Sequence, residues 1–248
     1  MTRTILITGG SRGIGRATAI LAGGLGWKVG VNYVGNARAA AETVDLVIAA
    51  GGHAIAVPGD VSVEADVIAM FDATQAAFGP ITALVSNAGI VGMKSELADM
   101  TLERMRRVFD INVLGAYLVA REGARRMPIN RGGEGGAIVN VSSMAATLGS
   151  PGQYVDYAGS KGAVDSLTVG LAKELAAVGV RVNGVRPGII ETEIHASGGE
   201  PHRAALLGPS APMGRAGTAS EVAQAIIWLL SDAASYATGT TIDISGGR

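Results

Sequence analysis

The chain has 248 residues, 20 basic and 21 acidic side chains for a net charge of −1, and no cysteine. That length suits one α/β domain able to bury a full core without cross-links. The missing cysteines exclude a disulfide framework and any thiolate metal site, and the balanced charge gives no electrostatic basis for binding nucleic acid or an anionic membrane. No apolar stretch reaches the ~18 residues of a membrane span. The opening Met1–Gly10 contains too short an apolar run for a signal-peptide core, so a cytoplasmic protein is expected. The 37 glycines, about twice the usual share, punctuate apolar segments and form no low-complexity tract. With few aromatics, the core is expected to be aliphatic, as in buried parallel sheets.

In chain order, apolar runs of strand length alternate with longer segments of helical spacing. Strands are predicted at Thr4–Thr8, Lys28–Tyr33, His53–Pro58, Ala83–Asn87, Ala137–Ser142, Arg181–Arg186 and Thr241–Ser245. Helices are predicted at Gly13–Leu25, Ala37–Ala50, Val63–Phe78, Leu102–Met127, Val155–Val178 and Ala219–Leu230. This alternation implies βαβ units with right-handed crossovers. The expected fold is α/β, a Rossmann-like doubly wound parallel sheet of about seven strands with helices on both faces. No Pro/Ser-rich linker divides residues 1–248, which read as one dinucleotide-binding and catalytic domain. The segment 189–217 reads as a long irregular insertion, and long loops in compact domains are often functional lids.

Thr8-Gly9-Gly10-Ser11-Arg12-Gly13-Ile14-Gly15 joins the first strand to the first helix. Glycines there allow a tight turn and close backbone approach to a pyrophosphate, at a helix N-terminus that favours anions. The spacing is Gly-x-x-x-Gly-x-Gly. An acid at the end of the second strand would bind an adenosine ribose and repel a 2′-phosphate. That region, Asn32-Tyr33-Val34-Gly35, carries none, and Arg12 stands in the turn where a cation can meet a 2′-phosphate. Both features favour NADP(H) over NAD(H).

Tyr157 and Lys161 lie four residues apart, on one face if their segment is helical. An ammonium beside a phenol favours the phenolate, which would let the pair exchange a proton near neutral pH, as a carbonyl/alcohol conversion needs. Ser142-Ser143 ends the fifth strand, Asn87-Ala88-Gly89 the fourth, Asp60-Val61 follows the third, and Pro187-Gly188 follows the sixth. Ligands of open parallel sheets sit beyond these carboxyl ends.

Together, Thr8-to-Gly15, Asn87-Ala88-Gly89, Asn112, Ser143, Tyr157-x-x-x-Lys161 and Pro187-Gly188 resemble the classical short-chain dehydrogenase/reductase family, in order and spacing, over nearly the whole chain. The resemblance implies Tyr157 as general acid/base, Lys161 on the nicotinamide ribose and lowering the tyrosine pKa, Ser143 polarising the substrate carbonyl, and Asn112 holding a water of a proton relay. A kink-forming Asn112 bonded to backbone groups is compatible with that role. It implies cofactor contacts from Gly9, Ser11, Arg12, Gly13, Ile14, Gly15, Asn32, Tyr33, Asp60, Val61, Asn87, Ala88, Gly89, Tyr157, Lys161, Pro187, Gly188, Ile190 and Thr192, with Asp60 and Val61 at the adenine and Thr192 at the carboxamide. Ser86 replaces the first asparagine of the family's Asn-Asn-Ala-Gly. Tyr154 and Ser142 are rival candidates. Tyr154 lacks a lysine four residues on, and Ser143 is the serine matching the family pattern.

The resemblance further implies a small carbonyl or alcohol substrate, no metal, and a homotetramer or homodimer. An NAD(H)-dependent sugar or alcohol dehydrogenase and a 3-oxoacyl-carrier-protein reductase are narrower alternatives, and Arg121, Arg125 and Arg126 form a basic cluster able to serve carrier docking, a subunit contact or a solvated face. A non-catalytic dinucleotide-binding sensor is the alternative outside enzymes. His195 and His202 lie in the insertion as substrate contacts, metal ligands or solvated side chains.

Overall fold

The computed structural model describes residues 3–248, apart from the side chain of His195. The elements run β1 (Thr4–Ile7), α1 (Gly13–Gly24), β2 (Lys28–Tyr33), α2 (Ala37–Ala49), β3 (His53–Pro58), α3 (Glu64–Phe78), β4 (Ala83–Ser86), α4 (Leu102–Phe109), α5 (Ala116–Arg126), β5 (Gly136–Val141), α6 (Ala145–Leu148) and α7 (Val155–Leu175). There follow β6 (Val180–Pro187), β7 (Ile190–Glu191), α8 (Ile194–Ser197), α9 (Arg203–Leu207), β8 (Gly217–Thr218), α10 (Ala219–Leu230) and β9 (Thr241–Ile244). Seven strands form one sheet in the order β3-β2-β1-β4-β5-β6-β9, every neighbouring pair parallel. The order reverses between β1 and β4, which opens the crevice used by ligands of doubly wound sheets.

Alternation along the strands sorts side chains to two faces. Ile5 and Ile7 of β1 pack with Val29, Val31, Val85 and Val139 against α1, α2 and α10, through Ala19, Val47 and Ile226. Leu6, between them, points the other way and joins Leu84, Ile138 and Val182 against α3, α5 and α7, through Phe71, Val119 and Leu171. Both faces are covered, so the strands read as unbroken apolar runs.

The helix predicted at Leu102–Met127 is divided. Between α4 and α5 lies a wide π-helical turn, Asp110–Gly115. Asn112 explains it. Its Nδ2 donates to the Ile90 carbonyl at 2.9 Å and its Oδ1 accepts from the Ile90 amide at 2.8 Å, so a neighbouring loop bonds into the helix. Such insertions widen helices, often near functional sites. The segment 189–217 has more regular structure than its sequence suggests: β7 pairs in parallel with β8, and α8 and α9 lie between them. The α10 helix opens with a reciprocal capping box between Thr218 and Glu221.

The basic cluster on α5 is not an open cationic patch. Arg125 and Arg126 both pair with the buried carboxylate of Glu122, at 2.7 and 3.1 Å. Arg121 pairs with Glu64, and Arg126 also with Asp72.

Candidate active site

One cleft of about 800 Å³ runs along the carboxyl edge of the sheet, from the β1–α1 turn to the segment between β7 and α9. It lies at the reversal point of the strand order. The turn after β1 forms one end. Gly9 and Gly13 adopt positive φ, +60° and +52°, which L side chains rarely reach. The N-cap of α1, Arg12, makes no side-chain cap bond, and the first turn holds no acid. The N–H groups of that turn are therefore without a side-chain acceptor, as an anion site requires.

Neighbouring strand ends brace the turn. Thr8 Oγ1 accepts from the Asn87 and Ala88 amides at 2.9 and 3.0 Å, and Asn87 Nδ2 donates to the Thr8 and Gly9 carbonyls at 2.9 and 3.1 Å. Asn32 is spent in the same way. It accepts from Gly9 N at 3.1 Å and donates to the Val57 and Gly59 carbonyls at 3.2 and 2.9 Å. Its amide thus holds the turn in shape, and it leaves the end of β2 without a carboxylate. Arg12 is exposed at the cleft and has no side-chain partner among the described residues.

At the far side of β5, α7 brings Tyr157 and Lys161 to the cleft on one helix face. Lys161 is buried, with Nζ donating to the Val141 carbonyl at 2.8 Å and standing 5.7 Å from the Tyr157 ring centroid. Burial lowers its pKa to about 8, with Asp165 pulling the other way. The two serines ending β5 point apart. Ser142 is buried and donates to the Lys161 carbonyl at 3.1 Å. Ser143 faces the cleft beside Tyr157, and its hydroxyl favours the phenolate.

One sequence expectation is reversed. The Tyr157 pKa is raised by burial, opposed only in part by the Ser143 hydroxyl. The Lys161 ammonium is itself desolvated and donates to the Val141 carbonyl. The rival tyrosine is occupied elsewhere: Tyr154 donates to Glu200.

Asn112 does not line the cleft but stands beside it. Its Nδ2 also reaches Ser160 Oγ at 3.1 Å, which links the wide turn to α7. A Cβ at Gly89 would lie 3.2 Å from Asn112 Oδ1 and 3.4 Å from Lys161 Nζ, so both atoms converge on the bare face of that glycine. Gly15 is the other expected residue away from the cleft wall. A Cβ there would meet the Gly9 carbonyl at 2.3 Å, so Gly15 serves the packing of α1 under the turn. The remaining expected residues, Gly9, Ser11, Gly13, Ile14, Tyr33, Asp60, Val61, Asn87, Ala88, Pro187, Gly188, Ile190 and Thr192, all line the cleft. Met144, Leu148, Pro151, Ile189 and Arg203 also line its wall, within the segments 144–155 and 189–217 where the sequence leads one to expect substrate contacts. These residues have no motif spacing, and the folding of those segments over the cleft singles them out.

Residues 9–248 match the family described as Enoyl-(Acyl carrier protein) reductase. The chain belongs to the short-chain dehydrogenase/reductase family. It is 56% identical over 243 residues to the uncharacterized oxidoreductase YgfF of Escherichia coli (strain K12), covering 98% of each chain. It is 39% identical to a 3-oxoacyl-[acyl-carrier-protein] reductase of Synechocystis sp., covering 98% of this chain and 95% of that one. The crystal structure of 3-ketoacyl-(acyl-carrier-protein) reductase from Brucella melitensis complexed with NADH superposes with a TM-score of 0.90 at 33% identity, covering 99% and 98% of the two chains. As a member of this short-chain dehydrogenase/reductase family the protein is an oxidoreductase that takes a nicotinamide dinucleotide and acts on a small molecule. Among the described residues no helix is long and apolar enough to cross a membrane, and no group of three His, Cys, Asp or Glu side chains is placed to hold a metal ion. His202 is exposed, while the side chain of His195 falls outside the described residues.

Proposed function

We propose that the protein is an NADP(H)-dependent reductase of carbonyl compounds, with Tyr157 donating the proton. The observation that carries this reading is the placement of Tyr157 between the Ser143 hydroxyl and the Lys161 ammonium, in the same cleft as the uncapped turn of α1. The dinucleotide fits that turn: two glycines of positive φ let the backbone approach phosphates, and Arg12 offers a guanidinium to a 2′-phosphate where the end of β2 has no acid to repel it. Asp60 and Val61 serve the adenine end, and Thr192 the carboxamide end.

When bound, the nicotinamide supplies the hydride that reaches the carbonyl carbon. The chain's own residues handle the oxygen. Ser143 donates a hydrogen bond to the carbonyl oxygen and polarises it. Tyr157, kept protonated by its burial, releases its proton to that oxygen as negative charge develops there. Lys161 holds the ribose and stabilises the phenolate left behind. Asn112 Oδ1 and Lys161 Nζ, converging on Gly89, hold the water that returns a proton to the tyrosine. An intact Ser-Tyr-Lys set argues for an enzyme over a dinucleotide sensor.

Residues 1–248 act as one catalytic unit, with 189–217 as its substrate loop, in the cytoplasm suggested by a cysteine-free composition. Assembly with copies of itself, as a dimer or tetramer, is supported by the exposed apolar side chains of Phe109, Leu114, Tyr117 and Val169 on the α4–α5 and α7 surfaces. Initial rates with NADPH and with NADH, across thioester, diketone, quinone and sugar substrates, test the reading. Turnover with NADPH well above that with NADH supports it, and a clear NADH preference refutes the cofactor assignment.

A further inference from the structure

At the substrate end, the cleft is closed by contacts between the segment before α7 and the segment leading into α9. Arg203 lines the cleft and stacks on Tyr154, with its guanidinium carbon 5.1 Å from the ring centroid. Nη2 donates to Gln153 Oε1 and Nη1 to Glu200 Oε2, each at 2.6 Å. The Tyr154 hydroxyl donates to the same Glu200 oxygen. Glu200 itself does not line the cleft but backs the guanidinium from outside. Gly199, at φ +82°, sits so close to Met93 that a Cβ would lie 2.5 Å from its Cε, which seats the segment from the opposite side.

Met144, Leu148, Pro151, Ile189 and Ile194 add apolar wall to the same cleft, which Ser150, Arg107 and Arg248 also line. A carboxylate entering here would lose its water and meet a cation already neutralised, with a second carboxylate directly behind it. Burying charge without a partner is strongly unfavourable. A neutral ketone leaves every bond of the network in place.

We propose that Glu200, by neutralising Arg203, sets the charge specificity of the site and restricts it to neutral, largely apolar carbonyl compounds. This inference rests on the reductase reading. It assigns Glu200 and Arg203 as specificity-determining residues.

The test compares aliphatic keto acids of about five to eight carbons with their methyl esters, as matched pairs, in the full-length enzyme with NADPH and NADH. The wild type is expected to favour each ester over its acid at least tenfold in kcat/KM. Glu200→Gln keeps an acceptor for Tyr154 and Arg203 but removes the charge, so the acid-to-ester ratio is expected to rise at least tenfold. The double variant Glu200→Gln/Arg203→Gln is expected to lose that gain. A wild type that prefers the acids overturns the inference, as does an unchanged ratio in a Glu200→Gln protein that melts like the wild type. Absence of turnover for every pair with either cofactor overturns the reductase reading itself.

Discussion

Lys161 directs its ammonium at the Val141 carbonyl, 2.8 Å away, and holds it 5.7 Å from the centre of the Tyr157 ring. Burial brings its pKa down to about 8. The ammonium is therefore present below that value and lost as pH rises through it. If the charged lysine is needed, kcat/KM for reduction is flat below pH about 8 and falls above it. Lys161→Arg, whose guanidinium stays protonated, moves that limb to higher pH in any residual activity. A pH–rate profile of both proteins checks this, and an unshifted limb speaks against Lys161 as its origin.

The two serines at the end of β5 have separable roles. Ser143→Ala removes the cleft-facing hydroxyl beside Tyr157, and is expected to lower kcat by about 10²-fold or more, the scale of losing one oxyanion donor. Ser142→Ala loses a buried bond to the Lys161 carbonyl. It is expected to cost roughly 1–3 kcal/mol of stability with a smaller effect on kcat. Parallel measurement of kcat and of denaturant midpoints separates the two outcomes.

Arg12 is expected to carry the preference for the 2′-phosphate. Arg12→Ser should weaken NADPH binding by about 1.5–3 kcal/mol, the worth of a hydrogen bond to a charged group, while NADH binding changes little. Titration of each cofactor against both proteins checks the difference. Equal losses for the two cofactors would assign Arg12 to the shared phosphates.

Arg104 and Asp156 form a largely buried pair, with Arg104 Nε and Nη2 at 2.9 and 3.2 Å from the carboxylate. Asp156 Oδ1 also accepts from the Tyr157 amide at 2.9 Å, so the pair anchors the first turn of α7. Arg104→Met leaves a buried carboxylate unpaired and is expected to cost about 3–5 kcal/mol. Adding Asp156→Asn removes that charge and is expected to recover part of the loss. Denaturant unfolding of the singles and the double checks the coupling.

Most of the sheet was legible because both its faces are buried, so each strand announces itself as an apolar run bounded by turns. The Tyr157–Lys161 pair and the turn of α1 were legible because their chemistry fixes their spacing. The break within Leu102–Met127 was not. It depends on Asn112 bonding Ile90, 22 positions earlier in the chain, and helical periodicity carries no trace of such a contact. The Tyr157 pKa was misjudged because its lysine neighbour is visible in sequence whereas its burial is not. The capping box at Thr218 and Glu221 was readable as Thr-x-x-Glu before an apolar run. The ion pair of Arg203 with Glu200 was hidden, since nothing in a polar loop says which charges face a cleft.

In the proposed mechanism Tyr157 moves the proton. In Tyr157→Phe the ring is retained and only the hydroxyl is lost, so the fold and the cofactor turn are undisturbed. The decisive measurement is kcat for carbonyl reduction by this variant, together with its NADPH dissociation constant. A fall in kcat of at least about 10²-fold is expected, the low end for a lost general acid, with NADPH binding within a few-fold of wild type. Wild-type turnover in that variant would contradict it.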